Sequence, residues 1–173
     1  MKMRAKFIKS EAWKKLLPSW DEMYQLLPDS IKRIFLKLQQ IKENPKWHPE
    51  DNALEHIKIV YDKALETGDP DLIMAALFHD LGKAFTARLK PEGYSSSHGH
   101  EAVSVRLVDT PENINFIEYF GADPETVKWL VANHMRMHIF NEMKPSKRKL
   151  LSQHQDFDKL LIFAEIDTAA KTE

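Results

Sequence analysis

Residues 69–83 of the chain read DPDLIMAALFHDLGK, an apolar segment that ends in a histidine and an aspartate. Asp69-Pro70 is a helix-start signal, because an aspartate N-cap precedes a proline at the first helical position. The run Leu72–Phe78 contains no polar residue, which indicates a helix buried on all sides. We predict that this helix runs through Leu81 and that Gly82 ends it. His79-Asp80 would then bring an imidazole and a carboxylate into the protein core.

Helical spacing and cap residues recur on both sides of this segment. Ser19 with Glu22 forms a capping-box pattern, Asn52 can cap the helix that Gly68 closes, and Asp123-Pro124 repeats the aspartate-proline start. The predicted helices cover about residues 19–27, 31–44, 52–66, 69–81, 101–108, 110–121, 123–138 and 157–170. Residues 90–97 have the composition of a loop, and no strand pattern with period 2 is found. The sequence therefore predicts an all-α helical bundle. We expect residues 1–44 to form a helical extension that packs on a core domain of residues 45–173.

The bulk composition excludes several classes of protein. The 173-residue chain has no cysteine, so disulfides, thiolate nucleophiles and cysteine-ligated zinc are excluded. Its formal net charge of −1 provides no broad electrostatic footprint for long nucleic acids, which favours a small substrate as the partner. The longest apolar run is far shorter than a membrane span, and residues 1–10 lack the apolar core of a signal peptide. We expect a cytoplasmic protein with no membrane partner.

Four of the predicted helices place a histidine or an aspartate on an apolar face. His56 lies four residues before Val60, and His134 lies four residues after Leu130. Asp167 lies three residues after Ala164 on the last helix, and His79-Asp80 ends the buried one. Burial of an unpaired carboxylate is costly, so such a group needs a cation or a set of donors. A divalent ion would gather these ligands, and imidazole with carboxylate suits Mn, Fe, Co, Ni or Zn, with Mg as a further candidate.

Each of these residues also has a purely structural interpretation. A single inward histidine is commonly a hydrogen-bonded core residue. Asp80 and Asp167 could be helix caps or partners of a lysine or arginine. These interpretations are less favoured when the residues are considered together, because four predicted helices each place a histidine or an aspartate on an inward face.

The remaining histidines differ in their surroundings. His48 and His154 lie in polar, loop-like segments, where we expect them to be solvated. His98-Gly99-His100 offers two imidazoles to one site, and His100 is favoured because it begins the following helix.

The ordered residues His56, His79-Asp80 and Asp167 resemble the HD superfamily of metal-dependent phosphohydrolases, whose fold is a helical bundle around one or two metals. Within that superfamily, the chain is similar to the HD domain attached to bacterial CCA-adding tRNA nucleotidyltransferases. The matching motifs span about residues 44–170 and are Lys46-Trp47-His48-Pro49-Glu50, His79-Asp80-Leu81-Gly82-Lys83, His98-Gly99-His100, His134 with His138 four residues later, and Glu165-Ile166-Asp167.

The resemblance implies roles for these residues. One metal would be held by His56, His79, Asp80 and Asp167, and a second by His100 and His134 with Asp80 as a bridge. Lys83 matches a lysine that contacts phosphate in the cyclic-dinucleotide phosphodiesterase branch, although it could also be a cation at a helix C-terminus. We therefore expect Asp80 and Lys83 to be catalytic. Arg88, Arg136 and His138 are candidates for holding the rest of the substrate, and His138 is alternatively a further ligand.

Two departures from the family patterns narrow the function. No nucleotidyltransferase motif occurs, so we do not expect CCA addition by this chain alone, and Lys83-Ala84-Phe85 replaces the Glu-Asp pair of guanosine tetraphosphate hydrolases. The resemblance suggests a nucleotide phosphomonoester, a 2′,3′-cyclic nucleotide or another small phosphate ester as the substrate, which a metal-activated hydroxide would hydrolyse. The alternatives are a di-iron oxygenase of the same fold and a non-catalytic nucleotide-sensing module.

Overall fold

The computed structural model describes residues 17–171, and nearly all of its regular structure is helical. The helices are α1 (Trp20–Leu26), α2 (Asp29–Leu38), α3 (Ala53–Thr67), α4 (Pro70–Phe78), α5 (Lys83–Thr86), α6 (His100–Val108), α7 (Pro111–Tyr119), α8 (Pro124–His138), α9 (Pro145–Ser152) and α10 (Phe157–Ala170), with a 3-10 turn at Phe140–Glu142. Two short strands, β1 (Arg88–Leu89) and β2 (Ser95–Ser96), pair antiparallel; β2 lies within residues 90–97, which were predicted to be a loop, and β1 lies directly before them. The all-α class is confirmed.

The predicted cap residues begin their helices as expected. Ser19 and Glu22 form a reciprocal capping box at the start of α1. The Asn52 side chain accepts hydrogen bonds from the backbone at the start of α3, and Asp69 and Asp123 do the same for α4 and α8. Gly68 ends α3 in the left-handed conformation, with a φ of 65°. Local sequence therefore sets the start of each of these helices.

Helix α4 is the central helix of the bundle. Every residue of α4 except Asp71 is buried, and the helix packs against α3, α6, α8 and α10. A helix with neighbours on all sides has no solvent face, which accounts for its apolar sequence. His79 and Asp80 follow its last turn, so they lie where those neighbouring helices converge.

The predicted end of α4 is wrong by three residues, and so is the reason given for it. The helix ends at Phe78 rather than Leu81, and Gly82 has a right-handed φ of −61°. Gly82 is required instead by close packing: a Cβ at this position would overlap the carbonyl oxygen of His100. Its backbone N–H also donates a hydrogen bond of 2.9 Å to the Ser104 hydroxyl. Gly82 thus lets the chain after α4 approach the first turn of α6.

Helices α1 and α2 share their apolar contacts with the rest of the bundle. Met23 and Phe35 belong to the same core cluster as α4. Trp20 stacks on Phe35 with a centroid separation of 5.6 Å, and the Tyr61 hydroxyl donates to the Pro18 carbonyl. A domain border after residue 44 stays a prediction, and residues 1–16 of the predicted extension lie outside the described residues. Among residues 17–171, no helix has both the length and the apolar character needed to cross a membrane.

Candidate metal centre

The six predicted metal ligands lie together in one cavity of about 760 Å³. They come from α3, the segment after α4, α6, α8 and α10, and each is at most 5% exposed. The ligands are His56, His79, Asp80, His100, His134 and Asp167. Because they are distant in sequence, only the packing of these helices around α4 brings them together.

The ligand atoms form two groups. In the first group, His56, His79 and Asp167 each offer one atom within 4.8 Å of the others. In the second group, Asp80, His100 and His134 do the same. We call these the first half-site and the second half-site.

Asp80 lies between the two half-sites and directs one carboxylate oxygen to each. Its Oδ2 is 3.3 Å from His79 Nε2 and 3.8 Å from His56 Nε2. Its Oδ1 is 3.0 Å from His100 Nε2 and 3.6 Å from His134 Nε2. This arrangement allows one carboxylate to bridge two cations.

Backbone carbonyls orient three of the histidine rings. Nδ1 of His79 donates to the Ala76 carbonyl at 2.9 Å, Nδ1 of His100 to Ser97 at 2.7 Å, and Nδ1 of His134 to Val131 at 2.7 Å. A carbonyl only accepts, so the proton of each neutral ring is on Nδ1 and the Nε2 lone pair points into the centre. This is the tautomer that a metal-binding histidine needs.

The ring nitrogens that point into the centre carry too few hydrogens to hydrogen-bond with one another. Nε2 of His79 is buried with no hydrogen-bond partner among the described residues. Nε2 of His100 and Nε2 of His134 are only 3.3 Å apart. When both rings are neutral these two atoms are acceptors, so their lone pairs repel unless a cation lies between or beside them. The residues therefore fit a divalent ion held by nitrogen and oxygen ligands.

Both carboxylates of the centre are held in the charged form. Burial opposes the charge of Asp80, but His79, Lys83 and His100 lower its pKa well below the usual range. Burial likewise opposes the charge of Asp167, and hydrogen bonds from His138 and His56 lower its pKa well below the usual range. The centre thus presents two negative charges to a cation at neutral pH.

Further charged side chains surround the first half-site. Nδ1 of His56 lies against the Glu50 carboxylate. Burial disfavours the protonated form of His56, but hydrogen bonds with Asp167 and Glu50 raise its pKa to about 9. Nε2 of His138 is 3.0 Å and Nζ of Lys171 is 3.1 Å from Asp167 Oδ2. His138 thus reaches the centre through Asp167.

Lys83 is a buried cation at the start of α5. It is 5% exposed and begins a helix rather than ending one, so its alternative interpretation as a cation at a helix C-terminus is wrong. Its Nζ is 2.8 Å from Asp80 Oδ2 and also donates to Glu43. Burial opposes the ammonium charge, but Asp80 and Glu43 raise the pKa of Lys83 above its usual value. Lys83 therefore touches a candidate metal ligand directly.

The cavity brings together only some of the predicted substrate-binding residues. Lys83 and His138 line it, whereas Arg88 and Arg136 do not. Arg136 lies two residues after His134, about 200° around the helix axis, and is exposed on the far side of α8. Arg88 is an exposed residue of β1. The basic residues that line the cavity in their place are Lys46, His98 and Lys171.

The structure also places the three remaining histidines. His98 is exposed at the cavity wall, while His100 lies in the second half-site as favoured. His48 is not freely solvated as expected, because its Nδ1 is 2.9 Å from Glu50 and 3.4 Å from Glu43. The His48-Pro49-Glu50 motif that precedes His56 was the sequence signal that could have indicated a role for His48 near the centre. His154 stacks on Trp129 at a centroid separation of 3.8 Å and does not line the cavity.

A helical bundle with ordered histidine and aspartate donors at its centre defines a class of divalent-metal proteins. The chain belongs to the HD domain family, whose model matches residues 36–164. This superfamily consists generally of metal-dependent phosphohydrolases, so the resemblance seen in the sequence is confirmed. The family also implies binding of a divalent metal.

Curated relatives share this region of the chain. It is 32% identical over 127 residues to the Multifunctional CCA protein of Methylococcus capsulatus, a match that covers 70% of this chain and 28% of that protein. The chain is 38% identical over 94 residues to the protein of that name from Janthinobacterium sp. (strain Marseille). That match covers 51% of this chain and 22% of that protein. The protein of that name from Hahella chejuensis is 28% identical over 163 residues, covering 86% and 37%. The chain thus spans between about a fifth and two fifths of the length of these relatives.

Proposed function

We propose that this chain hydrolyses a small phosphate ester, specifically a nucleotide phosphomonoester or a 2′,3′-cyclic nucleotide, with two divalent ions. The main support is the pair of half-sites that share Asp80 at the centre of one cavity. Two adjacent cation sites with a bridging carboxylate suit an in-line displacement at phosphorus, because a metal pair can stabilise both the attacking and the leaving oxygen. The family match supports the reaction class.

The chain contributes ligands, orientation and charge to this reaction. His56, His79, Asp80 and Asp167 would hold the first ion, and His100 and His134 the second, with Asp80 shared. A divalent ion held there would lower the pKa of its bound water toward about 7 and would neutralise charge on the phosphoryl oxygens. The backbone carbonyls behind His79, His100 and His134 keep their Nε2 atoms directed inward.

Lys83 adds a fixed positive charge beside the bridging ligand. Its contact with Asp80 Oδ2 holds that carboxylate between the half-sites, and Lys83 itself lines the cavity. A phosphoryl oxygen bound at the centre would lie near this charge. We therefore propose that Lys83 both positions Asp80 and stabilises the charge that develops on the phosphate.

The size and the charge of the cavity favour an organic phosphate over inorganic phosphate as the ligand. A volume of about 760 Å³ is in the range of small-molecule sites, and Lys46, His98 and Lys171 add basic groups to its wall. The relatives named Multifunctional CCA protein favour a nucleotide over other esters.

A screen of phosphorylated metabolites tests this function. The chain would be reconstituted with Mn, Co, Ni or Mg and assayed for phosphate release, with Asp80→Ala as the matched inactive control. We expect release that requires metal, stops with a chelator and is absent from the control. Metal-loaded chain that hydrolyses no ester would contradict the proposal. Bound iron with oxygen consumption would instead indicate the di-iron oxygenase.

A further inference from the structure

Trp47 is an exposed tryptophan on the wall of the cavity. Its side chain is 60% exposed although it lines the same cavity as the metal-ligand set. The other described tryptophans pack on aromatic rings of the protein: Trp20 on Phe35 and Trp129 on His154. Trp47 makes no such ring contact within residues 17–171. A large apolar side chain that faces a cavity without packing is available to a ligand.

The turn that carries Trp47, residues 44–48, is well fixed by hydrogen bonds. The backbone N–H groups of Trp47 and His48 donate to the Asn44 carbonyl at 3.0 and 2.9 Å. The backbone N–H of Lys46 donates to the Asn44 side-chain oxygen at 3.0 Å. These bonds close the turn, so the indole is presented on a rigid backbone.

A buried ion pair before the 44–48 turn and a partly buried hydrogen bond at its end attach the turn to the candidate metal centre. Before the turn, Glu43 pairs with Lys83, which contacts Asp80. At its end, His48 pairs with Glu50, which lies against His56. The turn that carries Trp47 is therefore attached, through Lys83 and Glu50, to the candidate metal ligands Asp80 and His56.

A lysine covers part of the indole ring. Nζ of Lys46 lies 4.7 Å from the Trp47 ring centroid. A cation over one face orients the ring without burying it. Because Trp47 is still 60% exposed, ring surface remains available to a planar group, and the Lys46 ammonium attracts anionic ligands to that part of the wall.

We propose that Trp47 stacks the nucleobase of a nucleotide whose phosphate is bound at the metal centre. The inference rests on the proposed function and extends it by naming the group that distinguishes a nucleotide from a sugar phosphate. Stacking on an aromatic side chain is available to every base, because each base has a π-face. The site therefore selects for the presence of a base and discriminates only weakly among bases.

A matched pair of ligands tests this role. Adenosine 5′-monophosphate and ribose 5-phosphate carry the same phosphorylated sugar, and only the first has a base. Their affinities for the manganese-loaded chain would be measured by calorimetry, or as KM values where they are hydrolysed. We expect Trp47→Ala to weaken the binding of adenosine 5′-monophosphate by at least about tenfold and to leave the binding of ribose 5-phosphate unchanged. Trp47→Phe should retain most of the preference, because phenylalanine also stacks.

Tyr119→Ala is the control for loss of an exposed aromatic, since Tyr119 is 79% exposed and does not line the cavity. Equal effects of Trp47→Ala on both ligands, or no effect on either, would overturn the role of Trp47 even if the chain is a hydrolase. Base-dependent binding through Trp47, without phosphate release from any ester of the screen, would support the stacking site and refute the hydrolase. Absence of binding of either ligand to the wild-type chain would refute the stacking site.

Discussion

The two half-sites of the metal centre are supported in different ways. In the first, charged or titratable side chains surround the ligands: Glu50 lies against His56, and His138 and Lys171 contact Asp167. In the second, the rings of His100 and His134 are oriented by backbone carbonyls. A carbonyl fixes a ring without adding a full charge, whereas a carboxylate behind a histidine also makes it more basic.

This difference predicts an order of metal binding. The first half-site has Asp167 and one oxygen of Asp80, together with two imidazoles. The second has only the other oxygen of Asp80 to accompany its two imidazoles. Two carboxylates attract a divalent cation more strongly than one shared carboxylate does. We therefore expect the first half-site to fill at lower metal concentration and the second to fill after it.

The largest effect is expected from removal of Asp80, the ligand that the two half-sites share. Asp80→Ala should lose both ions and all hydrolysis, because each half-site uses one oxygen of Asp80. His79→Ala should lose the ion of the first half-site and abolish hydrolysis as well. Elemental analysis measures the metal, and circular dichroism verifies the helical fold. Unchanged metal content in both variants would refute the ligand assignment.

Removal of a ligand from the second half-site should distinguish metal binding at the two half-sites. His134→Ala is expected to bind about one ion per chain under conditions in which the wild type binds about two. The remaining ion should bind with near wild-type affinity, because the first half-site keeps all its ligands. Titration followed by calorimetry distinguishes the two steps. Loss of both ions would mean that the half-sites are not independently formed.

Lys83 tests the charge beside the bridging ligand. Lys83→Met should lower kcat by about 10²–10³-fold, as removal of a single electrostatic donor does. It should also lower the free energy of unfolding by about 3–5 kcal/mol, because Asp80 and Glu43 lose their buried partner. Adding Glu43→Gln should restore part of the stability and none of the turnover, as measured by urea denaturation and initial rates. Lys83→Arg should recover activity only in part. Wild-type turnover and stability in Lys83→Met would contradict both roles.

Glu50 gives the smallest expected effect and acts on one half-site. Glu50→Gln should weaken metal binding in the first half-site by about 10–100-fold, because His56 loses the carboxylate behind it. The second half-site should be unaffected. Glu101→Gln is the matched control, since Glu101 lies 3.7 Å from the ring of His100 and is more exposed. Equal weakening of both half-sites by Glu50→Gln would show that the two are not supported differently.

Much of the fold could be predicted because its determinants are local. The caps at Ser19, Asn52, Asp69 and Asp123 identify helix starts from a few adjacent residues. Helix α9 was missed because Lys144 makes no side-chain cap and only Leu151 is buried in the whole helix, which leaves no apolar stripe to detect. The end of α4 was misplaced because the need for Gly82 arises from its approach to α6.

The site was predictable to the extent that its residues interrupt an apolar pattern. His56, His134 and Asp167 stand out on helical faces and do converge. Glu43, His48 and Glu50 lie in a segment without helical periodicity. The His48-Pro49-Glu50 motif was a sequence signal for two of them, and the fold reveals the contacts of all three with the centre. The burial of Lys83 was missed because it depends on Glu43, a partner forty residues away.

The most direct test of the shared-carboxylate centre is the number and position of bound ions at saturating metal. A crystal structure of the manganese-loaded chain, with anomalous scattering to locate the metal, measures both. We predict two ions about 3.5–4 Å apart, the separation typical of two-metal hydrolases, with one oxygen of Asp80 on each. A single ion bound by His56, His79, Asp80 and Asp167, with His100 and His134 turned away from it, would contradict the account.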